Sequence, residues 1–265
     1  MAEATNCSLA IGFATQCRVL HALFLRELVT RFGRDNLGVL WLVGEPMLFT
    51  LGVTLLWSFA GLAHRGNGIP IVAFAVTGYS SVLLWRNAAT HCTYAIEVNR
   101  PLMFHRSVQA IDVCLARIAL EVIGATGSFA FLSFFFVYFG LMPMPDNMAD
   151  VVGGWLMLAW FGTSLALLIG AGCAFSDLVH RLWQPVSYIM FPMSGAAFMV
   201  EWLPKQLQEI VLYLPMVHGV ELLRHGYFGN VVKAHYDMTY MSGCCLVITL
   251  LAVYLVRIAG HKIEF

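Results

Sequence analysis

His218, Glu221 and Arg224 stand three residues apart along one segment, an imidazole, a carboxylate and a guanidinium that together could move a proton or hold an anion. On a helix, spacing of i, i+3 and i+6 spreads them over only part of one face. No nucleophile or metal set joins them, so a membrane-embedded transferase site is weakly supported and no catalytic residue is expected. A second group is defined by depth. Glu45, Arg86, Arg117 and Glu121 fall inside or at the ends of long apolar stretches. There an isolated ion is costly, and opposite charges are expected to pair, or else to gate a path or meet a charged substrate. Glu45 and Glu121 lie roughly 12 Å from one bilayer surface at helical rise, with Arg86 and Arg117 near that level. A proton-coupled transporter using Glu45 and Glu121 is the alternative; it requires an inverted internal repeat, which the sequence does not carry.

Other chemistry is thin. The nine histidines form no HExxH or HxH cluster, so no metal site is expected. The seven cysteines form no CxxC pair; Cys114, Cys173, Cys244 and Cys245 sit in or beside apolar stretches and read as small core residues. No GxxxxGK[ST] occurs and no glycine is followed by lysine, so this chain has no phosphate-cradling loop and any nucleotide energy must come from another chain. No nucleic-acid module is visible.

The elements that carry these residues belong to a bilayer. Hydrophobic residues make up 60% of the chain and charged residues 11%, and the mean hydropathy is +0.77, far from soluble-domain averages. Six continuous apolar stretches, at about 37–63, 68–90, 112–141, 151–175, 182–200 and 238–256, are long enough to cross hydrocarbon roughly 30 Å thick. Continuous runs, rather than short alternating ones, predict an all-α integral membrane bundle and exclude a β-barrel. The first stretch follows Arg18, Arg26, Arg31 and Arg34, the wrong layout for a cleavable signal. With both termini inside, eleven Lys and Arg residues fall in the cytoplasm and four outside (Arg65, Lys205, Arg224 and Lys233), which obeys the positive-inside rule.

Three segments outside the simple spans are patterned. After a tail at 1–17, a helix at 18–35 would put Phe24, Leu25, Leu28, Val29 and Phe32 on one face and Arg26, Glu27, Thr30, Arg31 and Arg34 on the other. Such a helix lies in the membrane interface, either as an anchor or to receive a partner. The remainder, 36–265, reads as one transmembrane domain. Its connection at 91–111 is too long for a simple turn and predicts a short helix that displays Leu102, Met103 and Phe104 beside Arg100 and Arg106. Between spans five and six, 201–237 holds an apolar stretch at 210–220 too short to cross, broken by Gly195, Pro204 and Pro215; this predicts a re-entrant external segment. Trp41, Trp57, Tyr79, Trp85, Trp155, Trp160, Trp183, Tyr188 and Trp202 fit interfacial belts, or a lumen on whose rings sugars could stack.

Taken in order, FLRELVTRFGRDNLGVLW with Glu45-Pro46, EVNRPLMFHRSVQAID, and LPMVHGVELLRHGYFG give the whole chain a resemblance to the type-2 ABC exporter permeases, and within them to the capsular polysaccharide export inner-membrane permeases of Gram-negative bacteria (KpsM-like). The resemblance implies a homodimer of six-span subunits in the bacterial inner membrane. Two copies of a separate ABC ATP-binding subunit would dock on it and bind ATP and Mg, so this chain would bind no cofactor and be no enzyme itself. Contact with that subunit would fall to Asn99, Arg100, Pro101, Leu102, Phe104 and Arg106 in the coupling segment, and to Arg26, Glu27 and Arg31 in the interface helix. A lipid-linked acidic glycan would come in past Arg31, Arg34, Trp41, Glu45, Arg86 and Glu121 and leave past an external gate at Trp202, His218, Glu221 and Arg224. Further implied partners are a periplasmic adaptor of polysaccharide co-polymerase type and an outer-membrane polysaccharide channel. O-antigen and teichoic acid are the alternative cargoes. The family often has Asn-Pro just before the position of His218, whereas this chain has Leu214-Pro215.

Overall fold

Polar side chains placed in the middle of a helix explain the architecture best. In the computed structural model, which describes residues 2–32, 38–59, 69–104, 108–231 and 233–263, helix α3 (Ile71–Cys92) runs through the centre and is buried along most of its length. It packs on α2 (Gly38–Phe59), α5 (Ala110–Tyr138), α6 (Met148–Phe175), α7 (Asp177–Met193) and α9 (Pro215–Phe228). Thr77 and Ser81 return their hydroxyls to the carbonyls of Ala73 and Gly78 at 2.7 and 2.6 Å, which satisfies them without water. A helix screened by protein on all sides has no need to be uniformly apolar.

The remaining elements are α1 (Ala2–Phe32), α4 (Ala95–Val98), α8 (Lys205–Leu212) and α10 (Met238–Ile263), with 3-10 turns at Arg100–Phe104, Val200–Trp202 and Gly229–Val231. No strand occurs among the described residues. Caps mark the helix starts. Asp112 accepts from the Gln109 N–H at 3.0 Å as half of a capping box on α5, Asn147 caps α6 and Ser176 caps α7.

Four helices are long and apolar enough to cross a membrane: Leu40–Phe59, Ala110–Tyr138, Met148–Phe175 and Met238–Gly260. These match the first, third, fourth and sixth stretches expected from sequence. The second, α3, is diluted by Thr77, Ser80, Ser81, Arg86 and Asn87. The fifth corrects the expected 182–200: α7 is a 17-residue helix that starts at Asp177 and stops at Met193. The chain then turns through Gly195, whose φ of 85° a side chain would resist, because Arg224 draws this loop into the protein. The apolar stretch at 210–220 is split between α8 and α9, with the break at Tyr213 and Leu214. At the other end, α1 is continuous from Ala2, so the expected tail and interface helix are one helix.

Candidate functional site

At the basic end of the bundle, side chains from α1 lock onto the connection after α3. Arg26 donates from Nη1 to Asn99 Oδ1 at 2.7 Å, and the buried Asn99 amide donates to the Ala95 carbonyl at 2.9 Å. Glu27 Oε1 receives Arg117 Nε at 2.7 Å and Nη2 at 2.6 Å. Arg117 Nη1 also donates to the His91 carbonyl at 3.1 Å. Gln16 further along α1 hydrogen-bonds Asp112. Between these elements lies a cavity of about 350 Å³ whose wall includes Arg26, Thr30, Thr90, Tyr94, Asn99 and Gln184.

The expected apolar knob takes a different form. Arg100 and Pro101 are exposed, but Leu102 and Met103 pack against the core, because the chain here is a tight 3-10 turn rather than a projecting helix. Exposed apolar groups on this connection are Tyr94, the residue before α4, and Val98 at its end, 47% and 59% exposed. Neither was singled out from sequence, although their i, i+4 spacing is a helical signature. On α1, Leu25 and Val29 are exposed as an interfacial face requires, whereas Phe24 and Leu28 turn inward. Arg34 and Arg106 lie outside the described residues, as do the side chains of Arg31 and Phe104.

The charges expected to converge within the bundle are distributed instead. Arg117 is taken by Glu27 of α1, and the Glu121 carboxylate lies 3.8 Å from His91 Nε2. Arg86 finds aromatic rather than acidic neighbours: its guanidinium sits 4.6 Å from the Tyr188 ring centre and 5.7 Å from that of Phe191, both on α7. Glu45 and Trp41 lie exposed on α2.

At the far end His218, Glu221 and Arg224 are all buried on α9, each aimed at backbone. Arg224 donates to the carbonyls of Gly195, Phe198 and Ala196 at 2.6, 2.6 and 2.7 Å, with its guanidinium 3.9 Å from the centre of the Phe74 ring. Glu221 accepts the N–H groups of Val200 and His235, both at 3.2 Å. His218 Nδ1 accepts the Asp237 N–H and Nε2 donates to the Leu212 carbonyl, each at 2.9 Å. These partners assign a neutral ring protonated on Nε2. Together the three side chains bind the loop after α7 and the loop before α10 onto α9. Trp202 lies over this junction, stacked on Phe74 at 5.2 Å and 47% exposed.

Sequence reasoning missed the surface ion pair between His235 Nε2 and Glu201 Oε2 at 2.5 Å, and the His225 to Asp150 pair at 3.1 Å. Their partners are 34 and 75 residues apart. The hydrogen bond from His235 holds the Glu201 carboxyl below its ordinary range, and the backbone N–H of Tyr240 does the same for Asp237. Among the described residues no group of His, Cys, Asp and Glu is placed to hold a metal ion.

Comparison with known proteins bears on this arrangement. A family model described as ABC-2 type transporter matches residues 18–228. The chain is 39% identical over 264 residues to the capsule polysaccharide export inner-membrane protein CtrC of Neisseria meningitidis, covering 100% of this chain and 99% of that protein. It is 36% identical over 253 residues to the capsule polysaccharide export inner-membrane protein BexB of Haemophilus influenzae, covering 96% and 95%. The polysialic acid transport protein KpsM of Escherichia coli is 29% identical over 254 residues, covering 93% and 95%.

Proposed function

The chain belongs to the ABC-2 type transporter family, and from that premise we propose that it is the membrane-spanning subunit of an ATP-driven exporter that moves lipid-linked capsular polysaccharide from the cytoplasm to the periplasm. The observation that carries this reading is identity of 39% along the full chain to a protein named for capsule polysaccharide export. The chain itself is a permease that contributes no nucleotide site.

In this reading α2, α3, α5, α6, α7 and α10 cross the inner membrane, both termini are cytoplasmic, and α8 with α9 forms a re-entrant cap on the outer side. Two copies pair, and each receives one ATP-binding subunit, which supplies ATP and Mg. The docking surface is built from α4 with the exposed Tyr94 and Val98, the turn at Arg100 and Pro101, and the basic face of α1. The Arg26–Asn99 and Glu27–Arg117 contacts support this, since they make α1, the α4 turn and α5 respond to a push as one body. Closure of the ATP-binding subunits would tilt these helices together. His218, Glu221 and Arg224 would keep the outer cap a single piece that opens by rotation rather than by unfolding. A periplasmic adaptor and an outer-membrane channel would carry the glycan onward.

The test is genetic and chemical. Deleting the gene in its encapsulated host should abolish surface capsule while lipid-linked glycan accumulates inside, and plasmid-borne copies should restore export. Normal capsule in the deletion strain would overturn the reading.

A further inference from the structure

The first two turns of α7 lie between two joints. Before them Ser176 is extended, with φ of −156° and ψ of 127°, so the chain bends sharply between α6 and α7. After them Pro185 has no N–H to give the Arg181 carbonyl, and a helix that lacks this bond bends there. The piece between the joints, 177–184, is a rod about 12 Å long at helical rise.

Two side chains of this rod hold it to the end of α3 and the connection that follows. Trp183 donates from Nε1 to Thr90 Oγ1 at 3.1 Å. His180 hydrogen-bonds the Tyr94 hydroxyl through Nε2, and the two rings lie 4.2 Å apart at 52°. The other ring nitrogen, Nδ1, is buried without a partner, so the bond to Tyr94 is the one that orients the imidazole. Tyr94 stands between two cavities. One is the 350 Å³ space beside Arg26 and Asn99, which also reaches Gln184 of the rod; the other, about 280 Å³, lies between Glu97 of α4 and Asp177 and Arg181 of the rod. Open space on either side of the ring pair gives the rod room to shift. Tyr94 also keeps 47% of its surface open, so a group that presses on it from the cytoplasm presses on His180 as well.

Beyond Pro185 the rest of α7 runs to Met193. The loop that follows is held to α9 by Arg224, through the carbonyls of Gly195, Ala196 and Phe198. A continuous chain of contacts thus leads from Tyr94 along α7 to the cap at the opposite end.

We propose that 177–184 is a lever, and that His180 is the positioning residue through which movement of Tyr94 is carried along α7 to the loop held by Arg224. The proposal rests on the export reading and adds which helix reports the state of the docking turn to the outer cap. His180 touches neither nucleotide nor glycan; it acts through Tyr94. When the ATP-binding subunits draw Tyr94 with them, its ring and hydroxyl take His180 along. The lever then turns about Ser176 and Pro185, and Met193 draws on the loop at 194–198.

The experiment uses the purified complex of this chain with its ATP-binding subunit in lipid nanodiscs, without glycan. Chymotrypsin cleavage between residues 194 and 204 is timed with no nucleotide, and with ATP, Mg and vanadate to arrest hydrolysis. The wild-type loop should be cut about tenfold faster in the arrested state, the size of an ordinary coupling between two sites. His180→Ala should bring that ratio near one, while co-purification of the ATP-binding subunit and the rate of ATP hydrolysis stay at the wild-type level. His180→Phe keeps the ring contact without the hydrogen bond and should keep part of the ratio. A ratio taken within each preparation divides out any loss of folded protein. An unchanged ratio in His180→Ala overturns the proposal, as does a wild-type ratio of one. Loss of the ATP-binding subunit from both variants overturns it too, since His180 would then serve docking or folding. The export reading stands or falls separately on the deletion strain.

Discussion

The guanidinium of Arg117 closes on the carboxylate of Glu27 at 2.6 Å, joining α5 to α1 across 90 positions of sequence. Both side chains are only 14% exposed, and the same guanidinium holds the end of α3 through the His91 carbonyl. Reversing one charge leaves two like charges buried together, at an expected cost of about 2 kcal/mol or more. Arg117→Glu and Glu27→Arg should each lower the thermal midpoint in detergent and reduce export, and the double swap should recover most of both. Single variants as stable as wild type would show that the pair does not join the helices.

Arg224 is the second such anchor. Arg224→Met removes the donors to three carbonyls at once, which should cost about 3 kcal/mol and open the loop after α7 to protease. Gly78→Ala approaches the same point from the other side, since its Cβ would stand 2.4 Å from the Ala196 oxygen and 2.6 Å from Arg224 Nη2. Both variants should gain cleavage between residues 194 and 204; an uncut loop would contradict this account of the cap.

The His235 to Glu201 pair carries a pH signature. Glu201 titrates below its ordinary value of 4.5 in the folded chain, through its hydrogen bond with His235. A carboxyl lowered by folding contributes stability above that ordinary value and loses it as pH falls through the folded one. The stability gap between wild type and Glu201→Gln should therefore be present at pH 6 and shrink below about pH 4.5. A gap that is constant across that range, or that grows on acidification, would contradict the pairing.

At the basic end, Val98→Glu alters a side chain that is 59% exposed. The change should leave insertion and thermal stability unchanged yet abolish binding to the ATP-binding subunit, read by co-purification. Full co-purification of this variant would move the docking surface away from α4.

How much of this could be read from sequence follows the range of the forces involved. Runs of apolar residues report on local partition into a bilayer, and α2, α5, α6 and α10 were legible for that reason. Helix α7 was misplaced because the residues after Met193 are apolar yet bent back by Arg224, a contact 26 to 29 positions away. Depth alone suggested that Glu45, Arg86, Arg117 and Glu121 would meet. It did not reveal which helix face each occupies, and so missed both Glu27 and Tyr188 as partners. The set of His218, Glu221 and Arg224 was visible as spacing, but that spacing could not show that all three point at backbone.

The most direct test of the central claim is transport itself, in inverted inner-membrane vesicles that contain this chain, its ATP-binding subunit and lipid-linked capsular glycan. The glycan should become protected inside the vesicles only when ATP is added, and protection should vanish without this chain. Protection driven by a proton gradient in the absence of ATP, or protection that persists without the chain, would contradict the account.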